Sequence, residues 1–106
     1  MKKYLFEFGY MTPRQLELNE KFGWDDEDSQ AIWIMADSEE GALEWGRSLA
    51  EVFLRLLFND DTVSWQRMNF AHWVTSEDQT EDDPARLTAI PLVNYGEFPD
   101  WEKLLP

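Results

Sequence analysis

Carboxylates are the most abundant reactive groups in this sequence, and they come in runs. Asp25-Asp26-Glu27-Asp28 places four in consecutive positions, Asp60-Asp61 adds two, and five more fall between Glu77 and Asp83. Such runs can chelate calcium, act as an acid–base pair, or meet a basic partner. The calcium reading fails on spacing. A helix–loop–helix calcium site wants oxygen ligands at alternate positions, Gly at the sixth and Glu at the twelfth. Counted from Asp25, those positions hold Gln30 and Ala36. The acid–base reading has no specificity, because among 22 acids some pair will always lie close. No metal site is therefore assigned.

His72 is the single histidine and the one side chain that titrates near neutrality in its unperturbed state. As a general base it needs a nucleophile and an orienting carboxylate, and no second member of a triad is legible. The chain contains no Cys, which removes thiolate nucleophiles, disulfides and Cys-based zinc or iron–sulfur sites together. The five Gly are scattered and form no phosphate-binding loop. No catalytic residue and no cofactor follow from the sequence, and the expectation is a protein that is not an enzyme.

What remains is binding. Nine basic and 22 acidic residues give a formal net charge of −13. That charge opposes contact with DNA, RNA or anionic lipid by ordinary electrostatics, so neither a nucleic-acid nor a membrane partner is expected. It suits a basic protein, and the leading reading is a small acidic protein-binding module. An inhibitor or immunity-type protein docking a nuclease-like enzyme is one example, and a nucleic-acid mimic is a special case. Two of the six Trp flank the acidic runs, Trp24 before the first and Trp73 before the third. Trp is favoured at interface hot spots. The candidate partner-binding residues are Trp24, Asp25, Asp26, Glu27, Asp28, Asp60, Asp61, Trp73, Glu77 and Asp78.

Two further readings stay open. Tyr4, Tyr10, Trp65, His72 and Trp73 could line an aromatic pocket for a cationic or flat ligand in a small enzyme or ligand-binding domain. Alternatively the chain is a structural domain that pairs with itself through an open sheet edge, so that monomer and homodimer are both allowed. Keeping an aromatic-rich domain soluble is an equal alternative role for the acids.

These side chains need elements to position them. The length, 106 residues, suits one domain, and 43% hydrophobic content suffices for a core. In 4–10, Tyr4, Phe6, Phe8 and Tyr10 alternate onto one face of a strand, with Leu5 and Glu7 on the other. Thr12-Pro13-Arg14-Gln15 has the form of a capping box with Pro at the first helical position, although Leu16-Glu17-Leu18-Asn19 also alternates as a strand would. The segment 25–29 reads as a solvated loop. The apolar run 31–36 reads as a central strand covered on both faces.

Residues 38–58 carry the strongest helical pattern. Asp37 is the expected N-cap, Glu40, Glu44, Arg47, Glu51 and Arg55 form a wet stripe, and Ala42, Trp45, Gly46, Leu49, Val52, Phe53, Leu56 and Leu57 face inward. Gly46 on that stripe implies close approach to the sheet. Residues 63–74 read as a long strand with a bulge near Asn69, and 75–83 as an acidic loop. In the Pro-punctuated segment 84–106, a short strand is expected at Arg86–Ile90 and a short helix at 98–105 with Trp101, Leu104 and Leu105 on one face.

The predicted fold is a single α+β domain. It is a small two-layer sandwich whose sheet of three or four strands contains a βαβ unit (31–36, 38–58, 63–74), with the long helix on one face and the first strand paired to 31–36. Loops 23–30 and 59–62 should then share one end of the sheet and loop 75–83 the other. The opening Met-Lys-Lys-Tyr-Leu-Phe meets Glu7 before any signal-peptide core can form. No stretch reaches the roughly 20 apolar residues of a membrane span, so the default compartment is the cytoplasm.

Overall fold

The computed structural model describes residues 1–106. Its elements run β1 (Lys2–Tyr10), α1 (Pro13–Phe22), β2 (Asp28–Ala36), α2 (Glu39–Phe58), β3 (His72–Ser76), α3 (Pro84–Ala89) and β4 (Leu92–Asn94), with single 3-10 turns at Gln66–Met68, Glu77–Gln79 and Trp101–Lys103. The sheet order is β3-β1-β2-β4. β1 is antiparallel to both β2 and β3, and β4 is parallel to β2. The domain is thus α+β, a small mixed sheet with one long helix packed against it, as the hydrophobic pattern predicts.

The β1 alternation is realised in full. Tyr4, Phe6, Phe8 and Tyr10 are buried in the main core beneath α2, while Leu5 joins Ala31 and Trp33 in a smaller core on the opposite face. Leu87 and Ile90 cover that second core, and the Trp33 indole N–H donates to the Leu87 carbonyl at 3.0 Å. The central strand is therefore covered on both faces. At Gly46, an added Cβ would stand 2.4 Å from the Phe6 ring, so only glycine allows α2 to lie this close to the sheet.

The buried face of α2 is Ala42, Gly46, Leu49, Ala50, Glu51, Phe53 and Leu54. The expected stripe is thus rotated. Ala50 and Leu54 face inward, Leu56 is exposed, and Glu51 leaves the wet stripe for the interior. The N-cap is Ser38 rather than Asp37, with the Gly41 N–H donating to the Ser38 hydroxyl at 3.0 Å.

The chain from 63 to 71 is not a strand. Glu51 Oε1 accepts from the Ser64 hydroxyl and the Gln66 N–H, each at 2.7 Å, and this draws the segment onto α2 instead of into a ladder. Glu51 Oε2 is buried without a hydrogen bond, with Arg55 Nη2 at 3.5 Å as its counter-charge. Trp65, 1% exposed, inserts into the core and donates its indole N–H to the Gly9 carbonyl at 2.8 Å. Asn69, read as a bulge, instead closes the 3-10 turn with a left-handed φ of 57°.

The strand that follows, β3, runs parallel in direction to β2, but β1 lies between them. The predicted βαβ unit is therefore split, and its return connection is long. β3 also takes up the start of the expected 75–83 loop, which continues as a 3-10 turn. The strand expected at Arg86–Ile90 is the helix α3, capped by Asp83 and opened by Pro84, and the strand comes later, at Leu92–Asn94. The expected helix over 98–105 shrinks to its 3-10 turn, although Leu104 is buried and Trp101 and Leu105 pack beside it as the spacing requires.

The alternative left open over 13–22 is settled as helix. Thr12 and Gln15 form the reciprocal capping box, and Gly23 ends the helix at φ 70°. No residue of α1 is buried. No helix of the chain is long and apolar enough to cross a membrane.

Candidate functional site

The candidate residues separate into three places. The first is the connection from α1 to β2. The Trp24 ring, 52% exposed, lies 5.3 Å from that of Phe22, which is also exposed. The left-handed Gly23 between them turns the chain so that both rings stand side by side. Asp25, Asp26, Glu27 and Asp28 follow, all exposed. Asn19 braces the turn, its side-chain amide donating to the Trp24 carbonyl at 2.7 Å and to Asp25 Oδ1 at 3.4 Å. Asp28 already belongs to β2, opposite Tyr10. Glu27 folds back so that its Oε1 would lie 3.1 Å from a Cβ on Gly9. The result is an exposed aromatic pair continuous with four carboxylates, on a segment that does not take part in the core.

Phe22 is absent from the sequence-derived set. The signal for it was the word Phe-Gly-Trp, because a glycine in the left-handed conformation brings its two neighbours onto one side.

The second place is the turn after α2. This helix starts where β2 ends and packs back along the sheet. Its length, roughly 30 Å at 1.5 Å per residue, matches a nine-residue strand. Asp60 and Asp61 therefore lie at the same end as Asp25–Asp28, as the topology predicts. They do not join them in a chelating group, since no three His, Asp or Glu side chains gather closely enough to hold a metal ion. Asp60 is turned to a local task. Its Oδ1 accepts from the Thr62 hydroxyl at 2.6 Å and the Thr62 N–H at 2.8 Å. These bonds, the hydroxyl's first, hold its carboxyl below the usual range.

The third place is β3 together with the turn that follows it at the other end of the sheet, where Glu77 and Asp78 lie. Trp73, 51% exposed, projects from the face away from α2, opposite Glu7 of β1. Glu77 pairs with Lys3 at 3.3 Å, and Asp78 accepts from the Ser76 hydroxyl at 2.7 Å. Lys3 also lies 4.6 Å over the Trp33 ring. These acids are partly neutralised at home, which those at 25–28 are not: no salt bridge reaches that cluster.

The aromatic pocket expected around His72 does not assemble. Tyr4, Tyr10 and Trp65 are core residues, and Trp73 points to the opposite face of the sheet from His72. His72 sits edge-on to Trp65, with ring centroids 4.9 Å apart, beside a shallow depression of about 120 Å³. Arg47 Nε donates to His72 Nε2 at 3.1 Å, which leaves Nδ1–H to donate to the Phe70 carbonyl at 3.0 Å. Both ring nitrogens are thus committed to holding the 63–71 segment against α2, and no carboxylate orients the ring.

Two tyrosines are shifted upward. Burial, reinforced by the charge of Asp28 and opposed by a bond from Gln30, raises Tyr10. For Tyr95, the hydrogen bond it donates to Glu44 and that carboxylate's charge stabilise the neutral phenol.

Compared with models of known protein families, with curated proteins and with solved structures, the chain matches none.

Proposed function

We propose that this protein is a binding module that docks a basic protein through the α1–β2 connection, with Phe22 and Trp24 as apolar anchor and Asp25–Asp28 as electrostatic rim. The single observation that carries this is the pairing of two exposed aromatic rings with four unneutralised carboxylates on a segment that contributes nothing to the core. Large aromatics at the centre of a contact supply most of the binding energy of an interface, and surrounding charges set the association rate and exclude wrong partners. A lysine or arginine of the partner would meet both, the ring face by cation–π attraction and the carboxylates by ion pairing. An enzyme with a basic cleft, the target of an inhibitor or immunity-type protein, presents that chemistry.

The test uses the full chain as bait and then measures kinetics with each purified basic protein it retains. Association should slow steeply as salt rises and should fall about tenfold in D25N/D26N/E27Q/D28N, while Trp24→Ala should mainly speed dissociation. Retention of only neutral or acidic proteins, or unchanged kinetics in both variants, removes the reading.

A further inference from the structure

The two edges of the sheet are built differently. β4 has three residues and follows Pro91, and short length and proline both discourage further pairing. β3, His72-Trp73-Val74-Thr75-Ser76, has five residues with no Lys, Asp, Glu or Pro among them. Its main-chain directions follow from the ladder. The Gly9 N–H donates to the Ala71 carbonyl at 2.9 Å. Antiparallel pairs alternate every two residues between bonded and non-bonded. Trp73 and Thr75 therefore turn their N–H and C=O groups toward β1, while His72, Val74 and Ser76 turn theirs outward. Of the outward groups, the Ser76 carbonyl takes the Thr80 hydroxyl at 2.9 Å, and no backbone partner from a turn or loop meets the others.

We propose that a second copy of this chain pairs antiparallel with β3 across a two-fold axis at Val74. Outward groups can bond only to outward groups, and full overlap of the five-residue strand then sets Val74 on Val74 and His72 on Ser76 of the second copy. The same register puts the exposed Trp73 directly across from Thr75 of the second copy and diagonal to its Trp73, within reach of an aromatic ring. The charges agree with it. The His72 end carries Arg47, bonded to the imidazole, and Arg67 in the turn before the strand. The Ser76 end carries Glu77, already paired with Lys3, and Asp78, whose charge no cation meets. Antiparallel pairing lays each positive end against a negative one, whereas parallel pairing would oppose like charges. The net charge of −13 repels the copies, but at physiological salt charges beyond about 8 Å are largely screened, and the ends of β3 lie within that range.

Sedimentation equilibrium of the full chain across the micromolar range tests this. The expected result is a monomer–dimer equilibrium. Ser76 already has a φ of −67° and an outward N–H, so Ser76→Pro removes a pairing donor with little change to the fold. Trp73→Lys changes an exposed residue. Each variant should raise the dissociation constant about tenfold with unaltered circular dichroism. In this cysteine-free chain, Val74→Cys should oxidise to a covalent dimer, because facing bonded residues stand about 5.5 Å apart, whereas Thr75→Cys should not, because diagonal residues stand about 7–8 Å apart. A chain that stays monomeric throughout, or a dimer indifferent to both Trp73→Lys and Ser76→Pro, overturns the proposal.

Discussion

Helix α1 and helix α2 begin and end alike. Each is capped by a hydroxyl, Thr12 accepting from Gln15 and Ser38 from Gly41, and each stops at a left-handed residue, Gly23 or Asn59. Their fates are opposite: seven residues of α2 are buried and none of α1. The difference lies in the spacing of apolar positions. Ala42, Gly46, Leu49, Ala50, Phe53 and Leu54 recur at steps of three, four and one, which keeps them on one face, whereas in α1 only Leu18 and Phe22 share a face and Leu16 lies on the opposite side. Capping chemistry makes a helix, and periodicity decides whether the domain can use it as core. A helix formed by its ends but not needed for packing is free to carry a surface, and the aromatic–acidic segment sits directly after it.

Perturbing the two helices should separate these roles. The largest effect is expected for Phe53→Ala. Phe53 is fully buried between Tyr10, Phe8 and Trp101, and its loss should cost about 3–5 kcal/mol by denaturant unfolding. Next is Gly46→Ala. This gains helix propensity but drives a methyl into the Phe6 ring, for a net loss of about 1–3 kcal/mol, with the midpoint shifted and the slope unchanged. Removing the α1 cap, Thr12→Ala, should cost about 1 kcal/mol locally and show as faster hydrogen exchange of the α1 amides, with β1 and α2 protected as before. A global loss as large as that of Gly46→Ala would show that α1 belongs to the core after all. Trp24→Ala should change stability by no more than about 0.5 kcal/mol, since the ring is half exposed and its aromatic neighbour, Phe22, is itself exposed.

A final effect, at Tyr10, appears only at alkaline pH. Tyr10, 2% exposed, titrates above its ordinary value of 10.0 because burial disfavours the phenolate. Between the unfolded and folded values the native state holds the extra proton, so the contribution of Tyr10 to stability is flat below pH 10 and is lost as pH rises beyond it. Tyr10→Phe should remove this component of the alkaline loss, measured by thermal melts from pH 8 to pH 11.

Much of this was legible in local pattern. The alternation of Tyr4 to Tyr10, the Thr12–Gln15 box and the glycine at 46 each specify a conformation within a few residues. The Asp83-Pro84 signal for α3 was equally local, but the Pro-punctuated surroundings masked it and the segment read as a strand. The 63–74 segment misled for another reason. Val63, Trp65 and Arg67 alternate as a strand would, yet Trp65 bonds to Gly9 and Gln66 to Glu51, partners 56 and 15 residues away. Of the candidate site, the acids at 25–28 and the flanking Trp24 were legible as composition. That Glu77 and Asp78 have partners of their own and that Asp60 serves its turn were not, because Lys3, Ser76 and Thr62 are recognised as partners only once the chain is folded.

By itself the sequence determined the fold class, the faces of β1, the existence and approximate extent of α2, and the net charge of −13. These follow from interactions within one or two helical turns or strand pleats, and from simple counting. Tertiary structure decided the order of the strands, the loss of the 63–71 strand to Glu51 and Trp65, the dispersal of the expected aromatic pocket, and which acids remain free. Each depends on groups far apart in the chain competing for the same hydrogen bond or the same buried volume, and no local pattern records which of them wins.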